Sequence, residues 1–233
     1  MVSKVETCVI ICIFGKNFTV VYEAPKTYPS YCFTNNKTIQ PELKKKGWKY
    51  IFIDFPLVDD IVESTLQVKY IKFLQFEKEK RFSFFSAYKY LIVVDHKQEL
   101  KDEHISQIIE IKTNKVFLKH HPDKAKSILI WHEVERSIYQ ERYLRNMPDT
   151  INYINEKIKQ GYSEYVCIPW CGLILYEHND KRVKKLAEKI YNDIMRVKMP
   201  NDQIVWALVS QKYTSIIQMI DANDIPVKWE LPG

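Results

Sequence analysis

Asp95 is the residue in this sequence whose type and position could most directly do chemistry. It follows five consecutive apolar residues, Tyr90-Leu91-Ile92-Val93-Val94, and is followed by His96 and Lys97. A continuous, β-branched apolar run predicts a strand buried on both faces. Ligands in open α/β sheets bind outside the carboxyl ends of the strands, where Asp95 would stand. A carboxylate there could hold a divalent metal whose other positions go to a diphosphate, since hard cations prefer carboxylate and phosphate oxygen. A cap on the following turn would need the same residue type, and position alone leaves the two readings level.

The histidines are His96, His104, His120, His121, His132 and His178. No two form a helical His-x-x-x-His pair, which argues against a structural zinc site, and no Gly-x-Ser-x-Gly elbow supports Ser/His/Asp catalysis. His178 stands out because it also follows a predicted buried strand, Leu173–Tyr176. Asn201-Asp202-Gln203 opens a predicted helix, where Asp202 would cap the helix or present an acid to a ligand. Glu133 and Glu135 are two apart on a predicted helix, so their side chains diverge and cannot form a catalytic dyad. The five cysteines are odd in number, and Cys8/Cys12 and Cys167/Cys171 have three intervening residues where zinc knuckles use two. All five are read as free thiols in a reducing compartment.

Composition narrows the field. Only five of 233 residues are glycine, and no two lie within eight residues of each other. A Rossmann fingerprint, a P-loop and a kinase-type glycine lid are thereby excluded. The net charge of +6 admits anionic partners. The lysines are scattered, however, and the densest run, Lys44-Lys45-Lys46, reads as a solvated loop or helix end, so nucleic acid is not expected as a partner. With no signal-peptide or membrane-spanning pattern in view, a cytoplasmic protein is expected.

The elements needed to position these residues alternate along the chain. Strands are predicted at 7–14, Thr19–Tyr22, Tyr31–Thr34, Trp48–Asp54, Tyr90–Val94, Lys115–Leu118, Tyr165–Ile168 and Leu173–Tyr176. Helices are predicted at about 63–79, 98–110, 131–145, 149–160 and 181–198, and from about 200. The expected fold is a single α/β domain over 1–233, with a central, mainly parallel mixed sheet flanked by helices. Its core would span about 7–212, leaving 213–233 as a C-terminal extension.

The order of several segments carries a resemblance. An apolar first strand, Trp48–Asp54, Gln67-Val68-Lys69-Tyr70-Ile71-Lys72, Tyr88–Asp95, His121-Pro122, Glu133, Glu177-His178-Asn179 and Asn201-Asp202-Gln203 occur in that sequence. Together, over about residues 8–212, they resemble the GT-A-fold glycosyltransferase-like family that includes plant mucilage-related and turgor-regulating proteins and small bacterial or viral enzymes. The resemblance implies a GT-A-like fold and transfer of a sugar from a nucleoside-diphosphate sugar, a UDP-sugar as first choice, to a hydroxyl of a glycan or glycoprotein. It implies Mn²⁺ (or Mg²⁺) at Asp95, with His178 completing the metal site and His96 and His121 as rivals. Lys69, Lys72, Asp95 and Gln203 would bind the donor, Asp202 would be catalytic, and His121 and Glu133 would lie on the acceptor side. For Lys69 and Lys72 a solvated helix face remains the other reading. Two departures stand out: Val93 occupies the first acidic position of the family's Asp-x-Asp-type motif, and Asn201 replaces an arginine. Val93 makes a rival plausible, a non-catalytic carbohydrate- or protein-binding module on the same fold.

Overall fold

Apolar runs flanked by polar punctuation set the frame of this chain. The computed structural model describes residues 6–16, 21–121, 127–221, 224–225 and 228–229. The chain enters through β1 (Thr7–Ile13) and β2 (Ser30–Thr34), then α1 (Gln40–Lys45), β3 (Lys49–Phe52) and α2 (Ile61–Lys72). Two 3₁₀ segments, Gln75–Lys78 and Lys80–Ala87, lead to β4 (Tyr90–Val94), β5 (Gln98–Glu99), α3 (Asp102–Ile111) and β6 (Val116–His120). After β7 (Ile128–Leu129) come α4 (Ile130–Ser137), α5 (Glu141–Leu144) and α6 (Met147–Lys159). The last part holds β8 (Tyr165–Val166), β9 (Pro169–Tyr176), α7 (Lys181–Val197), α8 (Asp202–Val209), β10 (Ile217–Ile220) and β11 (Lys228–Trp229).

Seven strands form one sheet in the order β10-β6-β9-β4-β1-β2-β3. Neighbours pair parallel except at β9, which runs antiparallel to both β4 and β6. The expected mainly parallel mixed sheet, flanked by helices, is therefore what the chain builds. From β1 the chain moves outward to β2 and β3, then returns to place β4 on the other side of β1. That reversal puts the topological switch point, the usual ligand crevice of such sheets, between the carboxyl ends of β1 and β4.

Strand alternation divides the core. Cys8, Ile10 and Cys12 of β1 join Leu91, Val93, Leu118 and Ile174 under α7 and α8, while Val9, Ile11 and Ile13 join Ile92, Phe117 and Leu175 under α1 and α3. Both faces are apolar because both are covered, which is why the strands read as unbroken hydrophobic runs. Among the described residues no helix is long and apolar enough to cross a membrane.

Several boundaries differ from expectation. Residues 17–20, and with them half of the strand expected at 19–22, lie outside the described residues; Val21 and Tyr22 are not in a strand. The helix expected over 63–79 stops at Lys72, where Leu74 turns into the left-handed region (φ 59°). The helix expected at 131–145 is two, α4 and α5. Pro169–Gly172, read as a break between strands, lies inside β9, and residues 98–99, read as the start of a helix, form β5. The stretch expected as an extension contributes β10, which extends the central sheet by pairing with β6.

Ile10 is fully buried at the centre of the sheet, paired with Tyr31 and Val93. Ile10→Ala is expected to cost about 2–5 kcal/mol, read as a lower urea midpoint at unchanged slope.

Candidate active site

The residues expected to share a site converge, with exceptions, at the carboxyl end of β1, β4 and β6. Asp95 follows β4 directly. Its N–H donates to Gly172 O (2.8 Å), its Oδ1 accepts from Lys97 N (3.2 Å), and its O accepts from Gln98 N (2.9 Å). The carboxylate thus caps its own turn with one oxygen and is 37% exposed, so the other can meet a ligand. His96 Nδ1 lies 3.4 Å from Asp95 Oδ1. Burial pulls the His96 imidazole below its ordinary pKa against the pull of Asp95, so the ring is neutral at pH 7. Beside it, the end of β1 turns through Gly15 at φ +85°, where a Cβ would come within 2.9 Å of Ser64 Cβ. Gly15 N–H donates to Asn35 Oδ1 (3.0 Å), tying the ends of β1 and β2 together.

Lys69 and Lys72 project inward from the last turn of α2. Both ammonium groups contact one oxygen, Asp202 Oδ2, at 2.9 Å and 2.6 Å, and all three side chains are largely buried. A solvated helix face is therefore ruled out for both lysines. Burial alone would raise the Asp202 carboxyl, but the two ammonium groups overcome it and hold the group down to about 2. Burial dominates at Lys69 and lowers its pKa; at Lys72 burial is outweighed by Asp202, with help from Asp95, and the pKa rises. Lys72 thus links the Asp202 cluster electrostatically to Asp95.

Local folding fixes α8 and with it Asp202. Asn201 caps the helix through Oδ1, which accepts from Gln203 N (3.1 Å). The Asn201 amide donates to Glu133 Oε1 (3.0 Å) and Ser137 Oγ (2.9 Å) on α4. Gln203 Nε2 donates to Pro169 O (3.1 Å), binding the helix start to β9. Asp202 sits in the first turn of α8, where the helix dipole also favours its negative charge.

Two expected roles need correction. His178 cannot join Asp95 at a metal: β9 runs antiparallel to β4, so a residue after β9 lies at the opposite end of the sheet. Its ring is also occupied, Nδ1 by Glu77 Oε1 and Nε2 by Tyr88 O at 2.7 Å. Glu133 is 4% exposed and supports Asn201, so it is a positioning residue and does not face an acceptor. Gln203 gives one amide N–H to Pro169 O. His121 follows β6 at the same end of the sheet as Asp95, with its N–H on Ile168 O (3.1 Å); Pro122, the other half of that step, is outside the described residues.

Two neighbours were missed. The Tyr143 phenol is pushed up by burial, and it feels the charges of Asp202, Glu133 and Lys72, which places it beside the cluster. Nothing in the sequence marks it. Asn35 directly follows buried β2, and the strand-end rule that selects Asp95 would have found it. Among the described residues no three His, Cys, Asp or Glu side chains are grouped to hold a metal. Asp95 with one available oxygen, and His96 near it, fit a cation that takes most of its ligands from phosphate and water.

Asp202→Ala would leave two buried ammonium groups facing each other and is expected to cost about 3–5 kcal/mol in urea denaturation. The Asp202 carboxyl titrates lower in the folded chain than in the unfolded one. Its stabilisation is therefore complete above about pH 4 and lost as pH falls through about 2, about 2 kcal/mol in all. Denaturation of wild type from pH 5 to pH 2 should show this loss, and Asp202→Ala should lack it.

No family model and no curated protein sequence matches the chain. Among solved structures, the mannosyltransferase Ktr4p from S. cerevisiae is 12% identical with a TM-score of 0.42, covering 97% of this chain and 70% of that one. Mouse xyloside xylosyltransferase 1 is 9% identical at 0.42, covering 94% and 85%. A CMP:2-keto-3-deoxy-manno-octonic acid synthetase complexed with CTP is 10% identical at 0.42, covering 93% and 89%.

Proposed function

We propose that the chain is a metal-dependent glycosyltransferase that moves a sugar from a nucleoside-diphosphate sugar, a UDP-sugar first, to a hydroxyl of a glycan or glycoprotein. The observation that carries this reading is the convergence of Asp95, Lys69, Lys72 and Asp202 at the switch-point end of the sheet, from segments 133 residues apart at the extreme. The order of these residues in the sequence supports it through the resemblance already drawn.

Charge arithmetic favours a cation. The two lysines and the two aspartates are balanced among themselves, so a donor diphosphate, with about two negative charges, arrives unneutralised. A divalent Mn²⁺ or Mg²⁺ at Asp95 would restore the balance and supply Lewis acidity to the departing diphosphate. Lys72, whose charge is coupled to Asp95, would then stabilise the developing negative charge. Asp202 has a different task from general base, because a carboxyl at about 2 takes up a proton poorly at neutral pH. It remains ionised and orients the two ammonium groups.

Titration of UDP with and without Mn²⁺ tests the centre. Wild type is expected to bind UDP about tenfold or more tightly with the metal, and Asp95→Ala to lose that gain while keeping its metal-free affinity. Equal metal dependence in the variant would place the centre elsewhere. Turnover of UDP- and GDP-sugars across an acceptor panel separates the enzyme from a binding module on the same fold, which would bind donor or glycan without transfer.

A further inference from the structure

Outside this site, two sulfur atoms and an imidazole nitrogen come together at the β10 side of the sheet. Cys167 lies in the short link between β8 and β9, His120 ends β6, and Met219 is the third residue of β10. Cys167 Sγ is 2.8 Å from His120 Nδ1 and 3.3 Å from Met219 Sδ. All three residues are half-buried and within reach of solvent, whereas the other four cysteines are buried.

The geometry points to a binding site for a soft monovalent cation, Cu⁺, formed by Cys167 Sγ, His120 Nδ1 and Met219 Sδ. Thiolate and thioether sulfur select Cu⁺ over harder ions, and imidazole is compatible with it. With metal–ligand bonds of about 2.0–2.3 Å, donors around one ion stand about 3.5–4 Å apart, so the Cys167–Met219 pair must open by about half an ångström and the Cys167–His120 pair by about one. Rotation of the long Met219 and Cys167 side chains supplies that. Binding replaces the thiol hydrogen: Cys–SH and Cu⁺ give Cys–S–Cu, and the proton goes to solvent. No electron is transferred. An occupied site would clamp β6, β10 and the link that carries Ile168 and Pro169. These are the residues whose carbonyls hold His121 and Gln203.

The test is Cu⁺ titration of the reduced full-length chain under anaerobic conditions, in competition with a chromogenic Cu⁺ chelator. Wild type should withdraw a single Cu⁺ per chain. Loss of an outer partner of a metal ligand already costs about 10–100-fold, so Cys167→Ser should weaken binding by at least about a hundredfold, and Met219→Leu, close in volume, by about tenfold. Excess Zn²⁺ should not displace the ion, and the X-ray absorption spectrum should show sulfur with nitrogen around copper. Failure of wild type to compete, displacement by Zn²⁺, or a shell of oxygen and nitrogen alone would overturn the assignment. If Cys167→Ser does not fold, Met219→Leu decides: wild-type affinity in that variant overturns it as well.

Discussion

Three buried charges from two distant helices, Lys69 and Lys72 on α2 and Asp202 on α8, fix the carboxyl end of this sheet. Taking each ion out of water costs several kcal/mol, and an apolar trio of similar volume would hold the helices together at least as well. Stability therefore does not account for their presence. What an apolar trio could not supply is an electric field at the crevice between β1 and β4. The charges pull α2 onto α8, and the shared carboxylate offsets part of what burial costs the two ammonium groups in surroundings lined by Cys12 and Cys171.

The remaining contacts hold that cluster in place. Asn201 is fastened to Glu133 and Ser137 of α4, Gln203 to the start of β9, and Asp95 to Gly172 further along the same strand. β9 is thus the rail on which the halves of the site are aligned, and its antiparallel direction makes this possible. Its amino-terminal half lies at the carboxyl ends of β4 and β6, so one strand touches both the Asp95 turn and the start of α8. A parallel strand would have brought its carboxyl end here, with His178 where Gly172 and Pro169 now stand.

Strand ends were legible in the sequence wherever direction followed from the parallel pattern. Asp95 after β4 and Asp202 at the start of a helix sit where apolar runs and helix-start residues place them, because burial on both faces and capping by Asn201 are local in their demands. His178 was misplaced by the same rule, since an apolar run shows that a strand is buried but not which way it points. Pro169 and Gly172 looked like punctuation; β9 tolerates them at its start, beside the bulge between Leu118 and Lys119 of β6. Lys69 and Lys72 were open to a solvated-face reading because lysine is so seldom buried unpaired. Their partner is 133 residues from Lys69 and on a different helix, and no local pattern announces it. Tyr143 is equally a product of tertiary packing.

The scarcity of glycine acquires a physical meaning from this arrangement. A glycine cradle lets backbone N–H groups approach a phosphate and neutralise it with dipoles. This sheet keeps glycine where geometry demands it at Gly15, which turns off β1 with a positive φ, while Gly172 lies against the end of the Gln98 side chain. Neither forms part of a cluster that could cradle a phosphate, and the charges near the crevice belong to side chains. Full charges on long side chains act over greater distances than amide dipoles, but they must be held still by other charges to be useful. Pinning two ammonium groups with one carboxylate meets that requirement, and it leaves the cluster with a net positive charge at the mouth of β1. Asp95 then supplies the single negative charge that brings the four side chains to balance; under the proposed function it would receive a cation, and with it a diphosphate, without the backbone cradle the composition excludes.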